Sequence, residues 1–144
     1  MGTTAGNQRA SARVVGHCPV DLWGLSSLER LRRQLALAGV DDVAPADTPA
    51  DREHVLLLRA DHVFEQRTLQ DLLARPATLV VRGRQAVAAH VAPGDVDAVR
   101  GMLEGGDAQA PAGLARVTAA ELSPSYNLVL RKSEPPRVLP IRTD

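Results

Sequence analysis

The stretch His54-Val55-Leu56-Leu57-Leu58-Arg59-Ala60-Asp61-His62-Val63-Phe64 constrains this chain more than any other. From Val55 to Arg59 the residues are nearly all aliphatic, which suits a strand buried on both faces of a mainly parallel sheet. Asp61 comes where that strand should end, and a helical pattern begins after Phe64. Open α/β sheets bind ligands beyond the carboxyl ends of their strands, so Asp61 stands where a ligand or metal contact is expected. The plainer alternative is that Asp61 only turns the chain and caps the segment after it.

The flanking sequence alternates strand and helix patterns around this run. Residues 1–11 are small and polar and are expected to be disordered. Residues 12–16 read as a first strand, followed by a loop broken by Pro19 and Gly24. Ser26 and Glu29 have the spacing of a capping box, which starts a helix. Leu28, Leu31 and Leu35 share one face of it, with Glu29, Arg30, Arg32 and Arg33 expected on a solvated face. Gly39 stops that helix, and residues 40–43 read as a second strand. A helix is expected over 68–75, then two strands, 78–81 and 85–91, joined by a tight Arg82-Gly83-Arg84 turn. A third helix spans 94–103, and 114–117 reads as one further strand. Strand and helix in this order predict a three-layer α/β sandwich with a mostly parallel central sheet. Residues 12–122 form its domain. The segment 123–144, with Pro124, Pro135, Pro136 and Pro140, cannot be one regular element throughout.

Charge and composition exclude several functions. The 17 basic and 17 acidic side chains cancel, so no general attraction draws nucleic acid, and none is expected as a partner. Trp23, Phe64 and Tyr126 are the only aromatic residues, which leaves no platform for stacking bases. Cys18 is alone, so no intrachain disulfide forms and a reducing, cytoplasmic compartment fits. No apolar run reaches the length of a membrane span.

Most familiar catalytic patterns are missing: there is no dinucleotide fingerprint, P-loop, nucleophile elbow or pair of Cys ligands. The histidines at 17, 54, 62 and 90 share no metal-ligand spacing. Cys18 beside His17 is read as an ordinary loop or partly buried thiol, since adjacent side chains rarely point together. Arg131-Lys132 beside Tyr126-Asn127 forms a polar cluster that suits either an anionic contact or a solvated terminal segment.

Two spans resemble a known family. Trp23-Gly24-Leu25-Ser26-Ser27-Leu28-Glu29-Arg30-Leu31, followed by Leu37-Ala38-Gly39-Val40, is similar to the segment after the glycine-rich loop in sugar-phosphate nucleotidyltransferases. Leu58-Arg59-Ala60-Asp61-His62-Val63-Phe64 resembles that family's strand ending in a metal-binding aspartate. The run Tyr126-Asn127-Leu128-Val129-Leu130-Arg131-Lys132-Ser133-Glu134-Pro135-Pro136 is similar to a junction in bacterial CDP-alcohol phosphatidyltransferase proteins. There a soluble nucleotidyltransferase-like region precedes the membrane domain.

The resemblance implies a shortened, Rossmann-like nucleotidyltransferase domain at the inner face of the membrane. Its partner would be the membrane domain of the same polypeptide, its ligands CTP or a CDP-alcohol, and a homodimer stays open. Gly16, His17 and Arg30 are the implied nucleotide contacts and Asp61 the implied magnesium ligand. Tyr126, Arg131 and Lys132 are the implied tail contacts. Departures point to degeneration: the loop Gly16-His17-Cys18-Pro19-Val20 has one glycine and no Arg or Lys, and no lysine lies near Gly24. Nor does Asp95-Val96-Asp97-Ala98-Val99-Arg100 reproduce the aspartate-rich signature of the membrane enzyme. The expected function is a non-catalytic accessory domain in phospholipid synthesis. An active magnesium-dependent cytidylyltransferase is the alternative.

Overall fold

The computed structural model describes residues 10–16, 26–50, 52–105, 113–122 and 138–141. A six-stranded mixed sheet runs in the order β2-β1-β3-β6-β5-β7. Its strands are β1 (Ala10–Val15), β2 (Asp42–Pro45), β3 (His54–Arg59), β5 (Thr78–Arg82), β6 (Gln85–Val91) and β7 (Ala115–Val117). A separate two-stranded ribbon joins β4 (His62–Phe64) to β8 (Val138–Pro140). The described helices are α1 (Ser27–Leu37), α2 (Gln66–Leu73), α3 (Val96–Leu103) and the short α4 (Ala119–Leu122).

β3 lies in the sheet interior, parallel to β1 and antiparallel to β6, with Val55, Leu56, Leu57 and Leu58 fully buried. Alternation divides these four residues between two cores. Leu56 and Leu58 join Leu31 and Leu35 of α1, Leu69 and Leu72 of α2, and Leu122 of α4. Val55 and Leu57 join Val99, Met102 and Leu103 of α3 on the other face. Three layers result, because a strand apolar on both sides needs helices on both sides.

The sheet is mostly parallel, but β6 runs antiparallel to both β3 and β5. The turn at Gly83 takes φ 63°, a left-handed conformation that glycine adopts without steric cost. Between β5 and β6 the register slips: Val80 faces Ala88 while Val81 faces Ala86. The additional residue lets consecutive Val87 and Ala88 enter the same core.

Several boundaries differ from the sequence expectation. β1 begins at Ala10, so Ala10 and Ser11 are buried strand residues and not part of a disordered leader. The second strand falls at Asp42–Pro45, not 40–43, because Val40 closes α1: its amide donates to the Leu35 carbonyl at 2.8 Å. α2 starts at Gln66, and a 3-10 turn at Pro93–Asp95 precedes α3. The capping box holds: the Ser26 hydroxyl accepts from the Glu29 amide at 3.2 Å, and Gly39 ends the helix at φ 91°.

Arg30 is the clearest correction. It does not lie on a solvated face; it is 5% exposed, and its Nη2 donates to the His62 carbonyl oxygen at 3.0 Å. One turn later, Gln34 Nε2 donates to the Phe64 carbonyl at 2.9 Å. The buried stripe of α1 therefore carries polar groups because it meets the backbone of β4 as well as aliphatic side chains. Arg32 and Arg33 remain exposed, as expected.

Candidate functional site

From β1 the chain passes to β2 on one side and then returns to β3 on the other. The crevice between the carboxyl ends of β1 and β3 is thus the topological switch point, where open sheets leave room for a ligand. Gly16 ends β1 there with φ 82°, and Arg59, Ala60 and Asp61 end β3. A cavity of about 170 Å³ is lined by Gly16, Arg59, Asp61 and Glu104. A second, of about 320 Å³, lies between Gly16, Ala60, Pro45 and the start of α1 at Ser26 and Ser27.

Two of the predicted residues therefore meet: Gly16 and Asp61 line one cavity. Arg30 lies on the far side of His62, held to its backbone. His17, Tyr126, Arg131 and Lys132, with Cys18 and Trp23, lie outside the described residues.

The surroundings of Asp61 decide what it can do. Arg59 is two residues earlier, on the same side of the chain, and grips the carboxylate with two hydrogen bonds. Its Nε donates to Oδ1 at 2.8 Å and its Nη2 to Oδ2 at 2.6 Å. His62 Nδ1 adds a third contact to Oδ1 at 2.8 Å. A carboxylate only accepts, so His62 carries its proton on Nδ1. The hydrogen bond from Arg59 does most to pull the Asp61 pKa down, to about 2, against the opposing effect of burial and with help from His62. Burial dominates at His62 and lowers its pKa, partly countered by Asp61. The third arm of Arg59, Nη1, donates to the Leu103 carbonyl at 2.7 Å, at the last turn of α3. A cation there is favoured by the exposed carbonyls and the helix dipole.

Magnesium does not fit this arrangement. A divalent ion needs carboxylate oxygens whose charge and lone pairs are available, and Asp61 has given both oxygens to Arg59 and His62. Glu104, across the cavity, is paired with Arg100 at 3.5 Å. Among the described residues, no group of three or more His, Cys, Asp and Glu side chains could hold a metal ion.

Sequence reading placed Asp61 correctly at a strand end but missed its partner. Arg59 was legible in principle, since residues two apart along an extended chain share a face. Glu104 was not, because it arrives from a helix at the opposite sheet surface. Compared with protein-family profiles, with curated proteins and with solved structures, the chain matches none.

Proposed function

We propose that this chain is a nucleotidyltransferase-like accessory domain without nucleotidyl transfer of its own, serving the membrane part of a CDP-alcohol phosphatidyltransferase-like protein. The observation that carries this reading is the Arg59 clamp. An aspartate meant to hold magnesium is instead tied off by a guanidinium.

A second feature agrees. The amino terminus of α1 borders the larger cavity, where backbone amides would otherwise receive an anionic group. Ser26 already takes one of those amides, that of Glu29, and its hydroxyl donates to Glu29 Oε1 at 3.2 Å, which places a carboxylate at the helix start. A phosphate would meet like charge there. No described helix is long and apolar enough to cross a membrane. In this reading the membrane part of the protein supplies attachment to the inner membrane face, with Arg131 and Lys132 supporting it. In the alternative, an active cytidylyltransferase, the meeting of Gly16 and Asp61 at the switch point would be a working site.

Incubation with CTP, magnesium and a panel of phosphorylated alcohols separates the two. The expected result is no pyrophosphate above the protein-free control. Manganese, titrated as a paramagnetic substitute, should leave the Asp61 resonances sharp in the natural chain and broaden them in Arg59→Gln. Pyrophosphate release that disappears in Asp61→Ala would overturn the proposal.

A further inference from the structure

At the opposite end of the strands from Asp61, where β3 begins and β6 ends, lies a cavity of about 270 Å³. That is room for roughly nine waters at their bulk share of ~30 Å³ each. Its described walls include Glu53, His54, Ala77, His90, Asp95 and Leu114. We propose that it binds a small organic cation: a primary ammonium carried on a short apolar body.

One backbone carbonyl sets the chemistry of the wall. His90 is 2% exposed, and its Nδ1 lies 2.8 Å from the Leu72 carbonyl oxygen. A carbonyl only accepts, so this nitrogen carries the proton and, in the neutral ring, Nε2 is a bare acceptor. His54 Nδ1 lies 3.0 Å from that Nε2 and must therefore donate to it. The proton of a neutral His54 is then used, and its own Nε2 is left as an acceptor. The two rings stand edge to face with centroids 5.0 Å apart, which holds this order in place.

Charge points the same way. The described lining contributes the carboxylates of Glu53 and Asp95 and no Arg or Lys. Asp95 sits at the N-cap of α3, yet its side chain makes no capping hydrogen bond. An anionic ligand would face two carboxylates and an imidazole lone pair. A divalent metal lacks a third close ligand among the described residues. An ammonium supplies donors to the Asp95 carboxylate and to the His54 imidazole, and Pro76, Ala77 and Leu114 offer apolar contact to its body. Ala77, in the same wall, is the only described non-glycine residue at positive φ, 58°.

The test uses n-butylammonium chloride as probe, with butyrate and n-butanol as controls, on the full chain near pH ~8, where unperturbed histidine is neutral. Imidazole nitrogen resonances report the result. Saturable shifts of His54 and His90 with butylammonium, absent with both controls, are expected. His54→Ala should abolish them. Asp95→Asn, which leaves the histidine pair in place, should weaken binding roughly two- to fivefold, the size of an exposed charge pair. No saturable response, an equal response to either control, or unchanged affinity in Asp95→Asn would overturn the proposal.

Discussion

Replacing Arg13 with alanine is expected to cost about 3 kcal/mol of folding stability, toward the lower end of the 3–5 kcal/mol typical of breaking a buried ion pair. Arg13 sits in β1, only 2% exposed. Its Nη1 and Nη2 bond Asp42 Oδ1 and Oδ2 at 3.1 and 3.2 Å, while Nε reaches the Thr48 carbonyl at 3.0 Å and Nη2 the Pro49 carbonyl at 2.7 Å. One side chain therefore ties β1, β2 and the connection to β3 together. Removing it strands a carboxylate and several carbonyls at once. Two features keep the cost from the upper end: Asp42 is 29% exposed, and Arg52 lies 4.0 Å from Oδ2. Asp42→Asn should cost less, because the contacts of Arg13 to carbonyls survive. Arg33→Ala, on the exposed face of α1, should change stability by less than ~0.5 kcal/mol. Urea unfolding of the three variants provides the comparison. A cost for Arg13→Ala no larger than that for Arg33→Ala would show that the network contributes nothing net.

Much of this architecture could be read from local pattern. Val55 to Leu58 predicts a strand buried on both faces, and β3 is one. Arg82-Gly83-Arg84 predicts the turn between β5 and β6, and Ser26 with Glu29 the start of α1. Each of these signals lies within a few residues of the element it specifies. What escaped is non-local. Val63 pairs with Leu139, so β4 is a strand only because a distant segment meets it, and three residues carry no period of their own. Arg30 shows the limit of reading amphipathicity by residue type. Ser27, Arg30, Leu31 and Leu35 share the spacing of one buried face, but a hydropathy pattern assigns Arg to water. Its buried position depends on the His62 carbonyl, which sequence cannot bring beside it. The candidate site divides in the same way. Asp61 at a strand end was legible from fold logic, but its neutralisation by Arg59 and the pairing of His54 with His90 arise only in the folded chain.

Stability is expected to fall by about 1–2 kcal/mol as pH drops from ~6.5 to ~5, well before ordinary carboxylates titrate. Two buried imidazoles are responsible. Burial lowers the pKa of His90, which the Leu72 carbonyl only partly offsets and the neighbouring His54 lowers further. Burial likewise lowers His62, against the pull of the Asp61 carboxylate. In the unfolded chain both return toward 6.5, so below that pH the unfolded state binds more protons than the fold does. Stability is therefore complete above ~6.5 and is lost as pH falls toward the depressed folded values. Each group can contribute at most about 1.4 kcal/mol per pH unit, and the opposing carboxylate and carbonyl contacts keep the sum below that ceiling. The geometry gives a concrete cause at the histidine pair. A proton added to His90 Nε2 would face the N–H of His54 Nδ1 at 3.0 Å, donor against donor. Asp61 acts in a separate, more acidic window. Its pKa of about 2 lies below its ordinary 3.8, so its contribution is present above ~4 and is lost as pH falls toward 2. Because its side chain is 36% exposed, solvent screening limits that contribution to about 1 kcal/mol. Urea midpoints measured from pH ~7 down to ~3 should show the histidine step first. His90→Gln, although less stable overall, should flatten that step, and Asp61→Asn should keep or deepen it, because His62 loses the carboxylate that favours its charged form, while removing the acid one. Midpoints that stay level between pH ~7 and ~5, or rise on acidification, would mean that these histidines are as easily charged in the fold as in water.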